Sequence, residues 1–271
     1  MNSQVVRGLQ PLLCTLLLWT TVLSAQEVRL EYKFRIGEVN RYKETTQNDI
    51  TSDMMTTGGQ KVFNEIYTTQ KVVEVNPDGS AEVIQTIDSV HTLFNGQPYS
   101  NPQTAILVGL PVRVTVTATG KILDAQSTGD TSDATAKDAV DVLRRQLMTQ
   151  PSYPSTAITM NKPWDDSATF SQATQIGTIT SNIRYSTTLT GSDRIRDTEV
   201  KVLERTVDVS GTISNDAGRL KGTGNGNIYF SDVLGKEIRS TLTIQQTMDM
   251  VTPQGSLKMD MKISTTRELL K

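Results

Sequence analysis

One hairpin signature occurs twice in this chain, roughly a hundred residues apart, and it narrows the fold more than any other feature. Val112 to Asp124 reads V-R-V-T-V-T-A-T-G-K-I-L-D, a strand, a glycine turn and a second strand. Gly226 to Thr241 reads G-N-I-Y-F-S-D-V-L-G-K-E-I-R-S-T, with the same Gly-Lys pair at the turn: Gly120-Lys121 and Gly235-Lys236. A hairpin cannot bury its apolar face alone, so a duplicated one predicts a duplicated β architecture in which each copy packs on neighbours.

Period-two alternation runs through most of the rest. Val28, Leu30, Tyr32 and Phe34 alternate with Arg29, Glu31, Lys33 and Arg35, which predicts a half-buried strand. Val39 to Ile50 reads as a long polar strand. Val62 to Val75 and Ala81 to Phe94 flank Asn76-Pro77-Asp78-Gly79, where Pro presets φ and Gly accepts a positive one. In the second half Ala168 to Ala173, Asn182 to Leu189, Thr198 to Ile213, Asn227 to Val233, Glu237 to Met250 and Ser256 to Leu269 read as strands. Thr190 to Asp197 reads as a connection and Asn215 to Gly226 as a glycine-rich loop. Strands this long predict a strongly curved sheet or partial barrel.

One helix stands between the halves. Ala136, Val140, Leu143 and Leu147 recur at helical spacing, Ser132 or Asp133 supplies a cap, and Pro151 and Pro154 end it. The expected organisation is a signal peptide at 1–25, a first β repeat at 26–130, a helix and proline-rich crossover at 131–163, and a second β repeat at 164–271. The fold class is mainly β: two similar halves of long antiparallel strands with one connecting helix packed on the sheet.

The N-terminal segment points to export. Arg7 precedes an apolar run from Leu9 to Leu23, and small residues at Ser24 and Ala25 mark a cleavage point. The run is broken by Gln10 and Pro11 and is short of the ~20 apolar residues a helical span needs. Cys14, the only cysteine, lies inside it with Leu13 before it, which does not suit lipidation. Cleavage would leave no thiol, excluding disulfides and thiolate chemistry. Loss of Arg7 would take the formal charge from −2 to −3, which offers nucleic acid no electrostatic footing. No further apolar run is long enough to span a membrane.

The opening L-E-Y-K-F-R-I-G-E-V-N-R-Y-K (Leu30 to Lys43) resembles a family of exported bacterial domains of unknown function. The resemblance extends to V-E-V-N-P-D-G-S-A-E-V, to V-T-V-T-A-T-G-K-I-L-D, to Lys162-Pro163-Trp164 after the proline-rich link, and to the closing F-S-D-V-L-G-K-E-I-R-S-T. Its motifs are turns and strand starts, and it implies no catalytic residue.

The chemistry-bearing residues are sparse. His91, the only histidine, sits in a predicted strand without a G-x-S-x-G nucleophile turn or a set of metal ligands, and reads as a surface or packing residue. Gly222-Thr223-Gly224-Asn225-Gly226 leads into a strand rather than a helix, so it reads as a flexible turn or bulge and not a phosphate cradle. No catalytic residue, metal site or cofactor is implied. Trp164, Tyr185, Tyr229 and Phe230 are the candidate pocket residues: they either line an apolar cavity under a curved sheet or plug the core between sheet and helix. Met248, Met250, Met259 and Met261 alternate along facing strands and predict a shared face.

Three functions fit. The first is an exported, non-enzymatic binding or scaffold protein whose partner is an apolar ligand or an envelope protein. The second is a carrier of lipid or another apolar ligand, with the helix over the open side of a half-barrel. The third, a carboxylate-based hydrolase, needs two acids facing each other across a cleft. The state of the space between helix and sheet, hollow or filled, separates them.

Overall fold

The computed structural model describes residues 27–55, 58–100, 102–129, 134–174, 177–214, 217–252 and 255–270. The apolar N-terminal segment and the expected cap residues Ser132 and Asp133 lie outside them. The elements run β1 (Glu27–Val28), β2 (Val39–Ser52), β3 (Gln60–Val75), β4 (Ala81–Phe94), β5 (Gln97–Pro98), α1 (Pro102–Ala105), β6 (Pro111–Val116) and β7 (Ile122–Ser127). Then follow α2 (Ala134–Met148), β8 (Ile158–Thr159), β9 (Pro163–Thr174), β10 (Gly177–Ile195), β11 (Thr198–Ile213), β12 (Gly218–Ser231), β13 (Lys236–Thr252) and β14 (Gly255–Leu270).

A single antiparallel sheet runs through both halves, in the order β7-β6-β4-β3-β2-β14-β13-β12-β11-β10-β9. Each half is a meander, and the repeated hairpin supplies the fourth and fifth long strands of each: β6-β7 in one, β12-β13 in the other. The last strand, β14, then pairs with β2 from Met259↔Ser52 to Leu270↔Arg41 and joins the halves. The sheet is curved and does not close, since β7 and β9 end it. Helix α2 packs on β7 and also touches β9, covering the seam between the edges. Its Leu143 and Leu147 meet Val112, Val114, Ile122 and Ala125, and Arg144 pairs with Asp124 at 3.1 Å.

The expected strand over Val28 to Arg35 keeps its alternation but not its ladder. Only Glu27 and Val28 pair, with Ile158 and Thr159. Beyond them the chain threads through the interior as an extended strap, where Leu30 is 1% exposed. Its backbone bonds go to two turns: Tyr32 N–H to Ala118 O at 2.7 Å, and Lys33 N–H to Gly235 O at 3.1 Å. Alternation reports which side is buried, and a strap between two turns satisfies it as well as a sheet strand does.

The expected loop over Asn215 to Gly226 is mostly strand instead. Gly222, Gly224 and Gly226 alternate, so all three point to the same side of β12, paired with Gln246, Ile244 and Leu242. A Cβ on Gly226 would stand 1.9 Å from the Thr241 carbonyl oxygen, and one on Gly222 2.7 Å from the Gln246 Cβ. The sheet bends so tightly here that only hydrogen fits, which is a frequent use of glycine inside a strand. Thr190 to Asp197 differs in the same way. Strand β10 continues through a bulge between Leu189 and Gly191 and turns only at Arg196, where φ is 54°.

The tightest part of the core lies where the strap and the proline-rich crossover cross the second half. Val28, Leu30, Tyr153 and Ile158 pack on Leu189, Leu203, Ile228 and Phe230. Burying each large apolar side chain stabilises by ~1.5–3 kcal/mol. The four methionines do share a face: Met248 is paired with Met259, and Met250 and Met261 lie two residues from them.

Candidate functional site

The first half is not filled like the second. Between α2 and the concave face of β2, β3, β4 and β6 lies a hollow of about 380 Å³. Alternation decides which side chains reach it. Asn40, Tyr42 and Glu44 of β2 face it, with Ile66, Thr68, Gln70 and Val72 of β3. On β4 a bulge helps: Tyr67 pairs with Ser89 but Thr68 pairs with Ile87, so Asp88 is the extra residue. The parity switch turns both Ile87 and Val90 inward, and sends the Asp88 carboxylate out to the Thr69 hydroxyl at 2.7 Å.

The roof is α2, which contributes Leu143, Gln146 and Leu147. Tyr32 and Phe34 of the strap form one wall, stacked with ring centroids 5.9 Å apart. The lining is thus apolar over most of its area, with a polar cluster where β14 and β13 reach in.

That cluster centres on Arg267. Its guanidinium lies 4.3 Å from the centre of the Tyr42 ring, a cation–π contact. Glu44 is its register partner on β2. Among the described residues the Arg267 guanidinium makes no hydrogen bond or ion pair, although Glu44 and Glu237 lie near enough to favour its charge. The residue is half-buried, and the surface it keeps lines the hollow. Burial works against its charge, but Glu237, Tyr42 and Glu44 outweigh that and hold its pKa above the ordinary arginine value. Nearby, Glu237 accepts the Ser240 hydroxyl. Lys236 pairs with Glu38 and donates to Asn40 Oδ1 at 2.9 Å. Burial raises the phenol pKa values of Tyr32 and Tyr42, so both stay neutral donors in the physiological range.

The four aromatic residues singled out from sequence fall elsewhere. Phe230 is fully buried in the core under the strap, edge-on to Tyr32 at 5.5 Å and to Tyr153 at 5.1 Å. Trp164 packs against the same cluster. Tyr185 joins Val207, Val209 and Leu220 in a separate cluster, and its hydroxyl reaches the Thr149 carbonyl at 3.4 Å. Tyr229 follows Ile228 in β12 and is half-buried. Trp164 and Phe230 are brought together; none of the four lines the hollow. His91 is exposed on β4, opposite Glu65. Asp165 and Asp166 lie in β9, and Asp166 accepts the Ser152 N–H at 2.9 Å. Among the described residues, no three His, Cys, Asp or Glu side chains group as a metal ion would require.

Arg267 carries a signal in the sequence, and Glu44 carries none. Along β14 the inward positions run Met259, Met261, Ile263, Thr265, Arg267, and the arginine is the one charge among them. A charge on the apolar parity of a strand is the signal that could have found it.

A larger, more open trough of about 1210 Å³ lies against the opposite parity of β10 to β14. Basic Arg184, Lys221 and Lys258 alternate there with acidic Asp49, Asp208 and Asp260, as expected of a solvated sheet face.

No family model matches the chain, and no curated protein does. Among solved structures, a lipovitellin structure described by its lipid–protein interactions is 12% identical over 88% of this chain, with a TM-score of 0.45. The match spans 25% of the lipovitellin chain. DynF from the dynemicin pathway of Micromonospora chersina (6% identity, 90% of this chain and 85% of that one, TM-score 0.24) is also similar. So is OmpF of Salmonella typhi (7%, 90% and 100%, TM-score 0.28). At these scores the likeness is one of long antiparallel strands and carries no functional weight. No helix among the described residues is long and apolar enough to cross a membrane.

Proposed function

We propose that this chain is an exported binding protein for a small apolar or amphipathic molecule, held between α2 and the first half of the sheet. The hollow of about 380 Å³ carries the reading. It falls within the ~300–1,000 Å³ span of ligand pockets, and it shares their form: apolar walls with a few convergent polar groups. The second half, by contrast, buries its strap and crossover against solid core. A scaffold that needed only stability would be filled in both halves, because each void forfeits packing energy. Export rests on the Arg7 and Leu9 to Leu23 segment, and kinship with exported bacterial domains on the turn and strand-start motifs.

The test is displacement of a neutral fluorescent probe, N-phenyl-1-naphthylamine, by alkyl compounds. The wild-type chain is expected to enhance its fluorescence. Ile66→Trp, which puts an indole into the hollow opposite Val90, is expected to remove the enhancement while leaving the circular dichroism of the sheet intact. Equal enhancement by both proteins contradicts the reading.

A further inference from the structure

Resting on that reading, we propose that the occupant is an amphiphile with an anionic oxygen head, carboxylate or phosphate, and that Arg267 holds the head. Three observations converge on this residue. It lines the hollow on the same cross-strand row as Ile66 and Val90, with Glu44 of β2 between it and Ile66. Its guanidinium carbon lies over the Tyr42 ring, 4.3 Å from the centroid, a cation–π contact that holds the group beside the hollow. Among the described residues, its guanidinium donors have no hydrogen-bond partner, although Glu237 and Glu44 are close enough to favour the charge.

An arginine in this position has few alternatives. It carries five donors in a rigid fork and does not give up its proton, so its donors require water or an anion. Glu237 already holds the Ser240 hydroxyl. Among the described cations that line the hollow, Lys33 donates to the Asp232 carbonyl and Lys236 to Glu38 and Asn40, which leaves the Arg267 guanidinium as the one without a hydrogen bond. A carboxylate or phosphate answers its donors with two parallel bonds, the strong geometry for arginine. The apolar remainder of such a molecule lies along Ile66, Val90 and Val83 beneath Leu143 and Leu147. Glu44, opposite Arg267, would then repel the head and set an upper limit on affinity.

The experiment is isothermal titration of the full chain with a set of ten-carbon ligands: decanoate, decyl phosphate, decanol and decyltrimethylammonium. Wild type is expected to bind the two anions about tenfold or more tighter than decanol, and the cation weakest. The ratio of decanoate to decyl phosphate identifies which anion the site prefers. Arg267→Gln is expected to bring anions and decanol level, Arg267→Lys to restore part of the difference, and Glu44→Gln to tighten the anions alone. A preference for the cation, equal binding of anion and alcohol by wild type, or a preference unchanged in Arg267→Gln overturns the assignment. In those outcomes, decanol binding that Ile66→Trp removes leaves the hollow standing as a binding site. Failure of every alkyl ligand to bind overturns both.

Discussion

The backbone N–H of Lys33 donates to the carbonyl of Gly235 at 3.1 Å, and one residue earlier the Tyr32 ring lies against Gly120. The two glycines are the turn residues of the repeated hairpins. Each turn presses on the same strap from its own half, and each needs a positive φ, 62° at Gly235 and 83° at Gly120. A Cβ would stand 2.4 Å from Lys33 N at one and 2.6 Å from Tyr32 Cε2 at the other. The repeat in the sequence is therefore a repeat of a strap-holding turn, and both copies meet on consecutive residues.

Gly235→Ala is accordingly expected to destabilise more than Gly96→Ala. Both positions have a positive φ, but nothing lies within 4 Å of a Cβ at Gly96. Backbone strain alone at Gly96 is worth roughly 1–2 kcal/mol, and the clash with the strap adds to it at Gly235. Urea unfolding of the two variants measures the difference; equal losses would mean that the turn does not hold the strap.

Phe230→Ala removes a fully buried ring that meets Tyr32 and Tyr153 edge-on. A loss of about 3–5 kcal/mol is expected, seen as a lower denaturation midpoint with the slope unchanged. Trp164, packed on the same cluster, offers a fluorescence probe of that transition.

Gly226→Ala tests the tight bend in β12. Its Cβ would overlap the Thr241 carbonyl, and forcing β12 and β13 apart is expected to cost about 1–3 kcal/mol. Hydrogen exchange should locate the effect: faster exchange along β12 and β13, with α2 and β7 unchanged.

Burial raises the pKa values of Tyr32, Tyr42 and Tyr153 from the ordinary 10.0. Because the folded values lie above the unfolded one, the associated stability is fully present below pH ~10 and is lost as pH rises through the folded values. Part of the phenolate absorbance in an alkaline titration is therefore expected to appear only together with the loss of circular dichroism, as Tyr32, Tyr42 and Tyr153 ionise with unfolding.

Much of this fold was legible in the residues. Ala81 to Phe94 and Thr198 to Ile213 match β4 and β11 end to end, because alternation and turn chemistry agree there. The strap was half legible: its alternation marked Leu30 and Phe34 as inward, but the partners that distinguish a strap from a strand are remote turns. The glycines of β12 misled because glycine serves loops and tight bends alike, and only the nearness of β13 separates the two uses. At the site, the aromatic candidates Trp164 and Phe230 pack together in the core. The hollow is lined instead by ordinary Ile, Val and Leu positions whose convergence depends on how the sheet curls and on the Asp88 bulge. Arg267 alone carried a local signal.

The account stands on the hollow beneath α2 accepting a ligand, and crystals of the full chain grown with decanoate test that most directly. The expected result is continuous electron density between Leu143 and Leu147 above and Ile66 and Val90 below, its head within hydrogen-bonding distance of Arg267. Side chains collapsed into that space, or decanoate found only in the charged trough on the opposite face, would contradict it.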